Sequence, residues 1–195
     1  MRSKLRYIIV ATVLGLLLQN AASAQGLDVK FPEIDGWEKG ELTKYPSAAL
    51  GYSIGYESET GEIVTVYVYN AGLKTIPDDV NHKTIKDEIN RAKAEIRQVE
   101  EMGYYENVKE LKNDTVTLGG EAGKVKTLHA LFTFKLRGNE VASDIFIWGY
   151  QNHFVKIRAT RKAEKEMVNS KIFTVLLAEL DKLFSKPPAE KLKAE

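Results

Sequence analysis

Residues 124–160 read KVKTLHALFTFKLRGNEVASDIFIWGYQNHFVKIRAT, and this stretch decides the fold class. Apolar and polar residues alternate within it in three runs, which is the period-two pattern of β-strands. The runs are separated by Arg137-Gly138-Asn139-Glu140 and by Gln151-Asn152-His153. Because connections this short join antiparallel neighbours, the stretch predicts a three-stranded β-meander.

The chain before the meander predicts further strands. Apolar residues alternate in residues 50–57 and again in residues 63–69, with a turn at residues 59–62 between them. The second of these runs is apolar on both faces, which indicates a central strand covered on both sides. A weaker strand pattern over residues 107–118 precedes a glycine-rich turn at residues 119–123. That turn lacks the ending of a phosphate-binding loop.

Two segments carry the apolar stripe of an amphipathic helix. Apolar residues recur at spacings of three and four over residues 81–102. Thr84 and Asp87 resemble a capping box, and Gly103 stands where a helix would end. The same spacing recurs over residues 163–184, so we expect a second long helix there.

This order of elements predicts the α+β class, with a mainly antiparallel β-sheet packed by two long helices. Strands with two apolar faces favour a three-layer α/β/α sandwich. Residues 25–186 are expected to form a single domain. Residues 187–195 contain little apolar surface, which predicts a flexible polar tail.

Residues 1–24 have the pattern of a secretory signal peptide. Three basic residues come first, residues 7–18 are uncharged and apolar, and small residues precede Gln25. The apolar run is shorter than the roughly 20 residues of a transmembrane helix. We therefore expect cleavage before Gln25, a periplasmic or secreted location, and no transmembrane anchor after processing.

The composition argues against several classes of function. The chain contains no cysteine, which excludes disulfides, thiol catalysis and cysteine-bound metal. Three of the 28 basic residues and none of the 27 acidic residues lie in the signal peptide, so 25 basic residues remain against 27 acidic ones. A nucleic-acid partner is not expected at this net charge of −2. We also predict no cofactor and no metal site.

Histidine offers the main argument for catalysis, and it is a weak one. The three histidines are not spaced as metal ligands. His129 lies in a predicted strand and approaches Ser143 or Asp144 on the next strand. These two neighbours are adjacent in sequence and so point to opposite faces, which disfavours a catalytic triad. A hydrogen bond from a partly buried His129 to a hydroxyl or backbone group is the preferred interpretation.

From Phe31 to Phe184 the chain resembles the PsbP-like family. The residues that carry the resemblance are Leu50-Gly51-Tyr52-Ser53-Ile54, the turn at residues 119–123, and Phe154-Val155-Lys156-Ile157-Arg158-Ala159-Thr160. That family includes extrinsic subunits of photosystem II, a nuclear Ran-binding factor and secreted bacterial proteins. The resemblance implies an α/β/α fold. It also implies a non-enzymatic binding or assembly role, because the members of that family are mostly of this kind. Fold alone does not fix function.

Tyrosine is concentrated in the predicted hairpin and beside the first helix. These residues are predicted either to pack across strands, Tyr52 and Tyr56 against Tyr67 and Tyr69, or to contact a partner. The six predicted contact residues are Tyr52, Tyr56, Tyr67, Tyr69, Tyr104 and Tyr105.

Three functions follow in order of preference. The first is a non-catalytic protein that binds an envelope or periplasmic partner, or assists assembly there. The second is a carrier of a small hydrophobic ligand, with a cleft between sheet and helix. The third is a hydrolase.

Overall fold

The computed structural model describes residues 27–163 and 171–185. The predicted signal peptide at residues 1–24 and the predicted tail at residues 187–195 lie outside these ranges. The first part of the predicted second helix, residues 164–170, also lies outside them.

The described residues form an α+β fold, as predicted, with eight strands and two α-helices. The strands are β1 (Trp37–Lys39), β2 (Thr43–Lys44), β3 (Tyr52–Ser58), β4 (Ile63–Tyr69), β5 (Tyr105–Thr117), β6 (Lys126–Leu136), β7 (Asn139–Tyr150) and β8 (His153–Lys162). The helices are α1 (Lys83–Glu101) and α2 (Lys171–Phe184). Short 3₁₀ turns occur at Ala48–Leu50 and Gly120–Ala122.

All strands pair antiparallel in one sheet of order β1-β3-β4-β8-β7-β6-β5, with β2 also paired to β3. The predicted meander is therefore confirmed as β6, β7 and β8, and the predicted hairpin as β3 and β4. Strand β4 pairs with β8 and joins the two units. Its Val64, Val66 and Val68 are fully buried, as expected for a central strand. The sheet ends at β5 on one side.

The two faces of the sheet contact different helices. On the face that carries Phe132, the Arg97 guanidinium of α1 lies 5.8 Å from the ring centroid. On the face that carries Phe146, that ring lies 6.5 Å from Phe173 of α2. Adjacent strand residues point to opposite faces, so every sheet residue belongs to one or the other. We call these the α1 face and the α2 face.

The segment before β3 packs onto the α2 face. Trp37 is buried, and its indole Nε1 donates to the Ile172 carbonyl of α2 at 3.1 Å. The Phe31 ring makes edge contacts with Tyr52 and Phe184, each at 6.3 Å between centroids. These aromatic contacts hold a segment that has little regular structure of its own.

The ends of α1 differ in part from the prediction. His82 is the N-cap, and its Nδ1 accepts a hydrogen bond from the Thr84 N–H at 3.2 Å. The predicted capping box is wrong because Thr84 already lies inside the helix, where Asp87 pairs instead with Lys83. The predicted end is confirmed. Gly103 has a φ of +78° and donates to the Glu100 carbonyl, as in a glycine-terminated helix.

Candidate functional site

The predicted pairing of tyrosines across the hairpin is wrong. In the β3–β4 register, Tyr52 and Tyr56 stand opposite valines, whereas Tyr67 stands opposite Ser53. Tyr52 and Tyr56 therefore lie on the α2 face, while Tyr67 and Tyr69 lie on the α1 face. A register different by one residue would have placed them together, because such a shift reverses every side chain.

Tyr52 and Tyr56 anchor the N-terminal segment. The Tyr52 hydroxyl donates to the Leu27 carbonyl at 2.6 Å, and the Tyr56 hydroxyl donates to the Pro32 carbonyl at 3.0 Å. Burial raises the pKa of Tyr52 to about 12 and also raises the pKa of Tyr56. Both phenols therefore stay protonated at neutral pH and keep donating to these backbone carbonyls.

Tyr104 and Tyr105 differ in exposure. The Tyr105 ring stacks on Phe134 at 4.1 Å between centroids, and its hydroxyl accepts from the Arg158 guanidinium at 2.9 Å. Tyr104 is 59% exposed. The structure therefore does not gather the six predicted tyrosines into one surface, and Tyr104 alone among them is widely exposed.

Tyr104 belongs to a set of exposed apolar residues along the last strand of the sheet. Met102 is 50% exposed and Leu111 is 55% exposed. Met102 and Tyr104 immediately precede β5, and Leu111 lies within it. We call Met102, Tyr104, Leu111 and the outer side of β5 the β5 edge.

The β5 edge is irregular and is held by α1. The register with β6 shifts between Glu106 and Lys109, and again on either side of Leu111. At the first shift the Arg97 guanidinium donates to the Val108 carbonyl at 2.7 Å. The Val108 N–H in turn donates to the Glu100 carboxylate at 2.8 Å. Bulges such as these bend a strand and re-aim its side chains.

Four linked polar side chains, of which all but Asp114 are buried, cross the α2 face from β5 to β8. His129 Nδ1 lies 2.7 Å from Asp114 Oδ1, and His129 Nε2 lies 2.8 Å from Asp144 Oδ1. The other Asp144 oxygen accepts from Arg161 Nη1 at 2.5 Å. Asp144 and Arg161 have side-chain exposures of 4% and 5%, whereas Asp114 is 49% exposed. We call Asp114, His129, Asp144 and Arg161 the aspartate–histidine chain.

The electrostatics of this chain favour a charged imidazole. Burial of His129 opposes its charge, but the hydrogen bonds and charges of Asp144 and Asp114 outweigh burial and raise the pKa of His129. The expectation that His129 bonds a hydroxyl or backbone group is therefore wrong, because its two ring nitrogens face carboxylates. Asp114 could not be foreseen as a partner, since two bulges separate it from the start of β5.

The aspartate–histidine chain does not form a hydrolase triad with Ser143. Ser143 faces the α1 face, where its hydroxyl lies 3.3 Å from Thr160 and accepts from Arg158 at 3.3 Å. The sheet thus separates Ser143 from His129, and Ser143 and Asp144 point to opposite faces as predicted. Within residues 27–163 and 171–185, no group of three or more His, Asp or Glu side chains is arranged to hold a metal ion.

A second polar cluster lies on the α1 face and surrounds Lys156 of β8. The Lys156 ammonium lies 4.9 Å from the Tyr67 ring centroid and 5.5 Å from that of Tyr69. It also lies 3.8 Å from Glu95 Oε2 of α1. Tyr69 donates to Glu88, which is paired with Arg91. We call Tyr67, Tyr69, Glu88, Arg91, Glu95 and Lys156 the lysine cluster, and sequence patterns did not indicate it.

An open cavity of about 540 Å³ lies where the ends of β7 and α2 meet the loop before α1. Its apolar lining includes Trp148, Tyr150 and Phe184, and its polar lining includes Lys124 and Lys126. The Trp148 indole N–H is buried and has no hydrogen-bond partner among the described residues. The volume falls in the range of small-ligand sites, roughly 300–1,000 Å³.

The chain matches no protein-family model, and no curated protein matches it. Among the described residues, neither helix has the length and apolar character needed to cross a membrane.

Proposed function

We propose that this chain is a non-catalytic binding or assembly protein of the cell envelope. It acts in the periplasm or outside the cell after removal of its signal peptide, and it binds a protein partner through the β5 edge. The observation that carries the proposal is the coincidence of a sheet end with exposed Met102, Tyr104 and Leu111. Solvent-exposed apolar side chains at the end of a sheet suit protein contact.

The finer architecture belongs to the same proposal. Contacts of α1 with the face of Phe132, and of α2 with the face of Phe146, support a three-layer α/β/α sandwich of PsbP-like type. In such a fold the helices cover the two faces of the sheet, so the sheet ends remain for binding. The opposite end is formed by the short strands β1 and β2, whereas β5 has 13 residues.

The partner that fits the β5 edge is a chain segment in extended conformation. Residues 112–117 pair with β6 without interruption, so they offer the regular part of the edge. A sheet edge binds an added strand through backbone hydrogen bonds, and side-chain pockets supply specificity. The bulges and the charged Lys109, Glu110 and Lys112 disfavour indiscriminate pairing with other edges. The edge is therefore suited to one partner rather than to aggregation.

Site-specific crosslinking tests this function. With p-benzoylphenylalanine in place of Leu111 or Tyr104, irradiation of native envelopes is expected to give the same discrete adduct from both positions. The matched control is Leu73, which is 43% exposed and follows β4, a strand separated from β5 by β8, β7 and β6. Mass spectrometry of the adduct identifies the partner.

A double substitution, Tyr104→Ser with Leu111→Ser, is a second test of the same function. Because both side chains are exposed, unfolding free energy is expected to change by no more than about 1 kcal/mol. When p-benzoylphenylalanine replaces Met102 in this variant, the crosslink to the partner is expected to be lost. Equal crosslinking from Leu73 and Leu111, or unchanged capture after the double change, would contradict the use of this edge.

A small-ligand carrier is the second candidate function, and the cavity at the end of α2 favours it. We expect native protein in that case to release an amphipathic compound on denaturation, detected by mass spectrometry of the extract. Ser185→Trp should fill the cavity and abolish this release, since Ser185 is part of its lining. Ser47→Trp is the control, since Ser47 caps a 3₁₀ turn and is not part of the lining. An empty extract from protein isolated under native conditions would argue against a carrier.

A further inference from the structure

Two lysines of β5, Lys109 and Lys112, lie on the α2 face. Lys109 stands opposite Thr133 and Lys112 stands opposite Leu131 on β6. These two partners alternate with His129 along β6 and so share its face. Residues three apart in a regular strand would point to opposite faces, but the second register shift of β5 inserts one extra residue between the two lysines. The bulge therefore brings both side chains to one face of the sheet.

The ammonium groups of Lys109 and Lys112 are free to meet a partner. Both residues are exposed. Within residues 27–163 and 171–185, neither lysine forms an ion pair. Their partners on β6 are two residues apart, so the two lysines are separated by roughly 7 Å along the strand. One carboxylate placed between two such long side chains can contact both ammonium groups. We call Lys109 and Lys112 the β5 lysines.

The acidic residues of β5 already have basic partners or neighbours. Glu110 points to the α1 face, where its Oε1 lies 2.6 Å from the ammonium of Lys93. Asp114 shares the face of the β5 lysines, but its Oδ1 lies 2.7 Å from His129 Nδ1. Glu106, before the first register shift, stands opposite a lysine of β6. The unmatched charge beside the regular part of the β5 edge is therefore positive.

Helix α1 closes the first part of the edge and so limits where a strand can be added. The Val108 carbonyl accepts from Arg97 at 2.7 Å, and the Val108 N–H donates to Glu100 at 2.8 Å. Both backbone groups of Val108 are thus bound by α1 side chains. An added strand is left with residues 112–117, which pair with β6 without a register shift. The β5 lysines stand at the beginning of that stretch.

We propose that the β5 edge binds an extended segment with an acidic side chain, which lies between Lys109 and Lys112 on the α2 face. This inference rests on the function proposed above and adds the chemistry of the partner. The acidic residue occupies the strand position opposite Lys112. The next residue of the partner on that face is uncharged, because it stands opposite Asp114 and like charges directly opposite each other destabilise strand pairing.

Synthetic peptides test this preference on the folded protein. The probe is the capped heptapeptide Glu-Val-Thr-Val-Thr-Val-Glu, whose glutamates and threonines share one face when it is extended. A glutamate can then meet Lys112 while a threonine meets Asp114, whichever way the added strand runs. Two control peptides carry glutamine or lysine in place of both glutamates. Nuclear magnetic resonance of the ¹⁵N-labelled protein measures each affinity from the amide shifts of residues 112–117.

The glutamate peptide is expected to bind at least about threefold more tightly than the glutamine peptide, since each exposed ion pair contributes little and two act together. The lysine peptide should bind most weakly. Lys109→Gln with Lys112→Gln should remove the difference between the glutamate and glutamine peptides. Lys44→Gln with Lys74→Gln is the matched control, because it removes two exposed lysines near β3 and β4, and it should keep the difference.

The preference for an acidic segment and the use of the edge can fail separately. Equal affinities for the glutamate and glutamine peptides, or a difference that persists in Lys109→Gln with Lys112→Gln, would overturn the acidic preference and leave the edge as a binding site. Absence of shifts in residues 112–117 with every peptide would overturn it as well. Crosslinking from Leu111 and Tyr104 tests the function itself, and an adduct peptide without aspartate or glutamate would refute the acidic preference alone.

Discussion

Gly51→Ala is expected to destabilise the protein by about 4 kcal/mol or more, which is enough to unfold many domains. Gly51 has a φ of +61° and a ψ of −124°, a backbone conformation that side-chain-bearing residues rarely adopt. An added Cβ would lie 1.9 Å from the Val68 carbonyl oxygen and 2.9 Å from the Tyr69 Cα. Strain of this kind costs roughly 1–3 kcal/mol, and overpacking costs about as much again. Urea unfolding followed by circular dichroism measures the loss.

Gly55→Ala is the matched control for this prediction. Gly55 lies in β3, the strand that begins directly after Gly51, and an added Cβ there would have no heavy atom within 4 Å. Its unfolding free energy should stay within about 0.5 kcal/mol of the wild-type value. The two obstructing atoms at Gly51 belong to the backbone of β4, which cannot move without breaking the hairpin. A stable Gly51→Ala protein would mean that β3 and β4 are spaced differently.

The sheet could be predicted from the sequence because its signals are local. The alternation in residues 124–160 and the two short turns within it define β6, β7 and β8 with no knowledge of other elements. The apolar residues of β4 likewise predicted a central strand, and β8 pairs with its open side. Patterns of this kind depend only on which face of a strand must be buried.

The tyrosines show where local patterns stop being sufficient. The period of two correctly placed Tyr52 with Tyr56, and Tyr67 with Tyr69, on shared faces. It could not say which face of β3 matches which face of β4, because the register depends on the geometry of the connecting turn. The contact role of the six tyrosines stays a prediction, and the structure leaves Tyr104 as its most exposed member.

The two polar clusters lay beyond sequence reasoning for a different reason. His129 meets Asp114 only because β5 pairs with β6 through two register shifts, and bulges have no reliable sequence signature. Lys156 owes its surroundings to Glu95 and to the rings of β4, which come together only when α1 and the sheet meet. Such contacts join distant parts of the chain, whereas the helical stripe of α1 indicated only which side of it would be buried.

The aspartate–histidine chain should make stability depend on pH in a definite direction. The pKa of His129 is raised in the folded protein above its ordinary value of 6.5. A raised pKa means that the folded state holds this proton more tightly than the unfolded state. The stabilisation is therefore complete below about pH 6.5 and is lost as the pH rises through the higher folded value. Urea unfolding measured across this interval should show stability falling as the solution becomes more alkaline.

Asp144→Ala is expected to remove about 3–5 kcal/mol of stability, the range found when one member of a buried ion pair is deleted. The change takes away the carboxylate that joins His129 to Arg161, and both of those side chains are buried. It should also flatten the pH dependence, because His129 loses the larger of the two carboxylate influences that raise its pKa. Urea unfolding across the same pH interval measures both effects.

Asp114→Ala is the matched change, since Asp114 faces the other nitrogen of the same imidazole. Its side chain is 49% exposed, so water can replace it, and a loss of about 1 kcal/mol or less is expected. Both aspartates accept from one ring at nearly equal distances of 2.7 and 2.8 Å, so the contrast between them measures the combined effect of burial and of the ion pair with Arg161. If both variants lose the same stability, or if Asp144→Ala keeps the wild-type pH profile, then the link from His129 through Asp144 to Arg161 does not stabilise the fold as its geometry indicates.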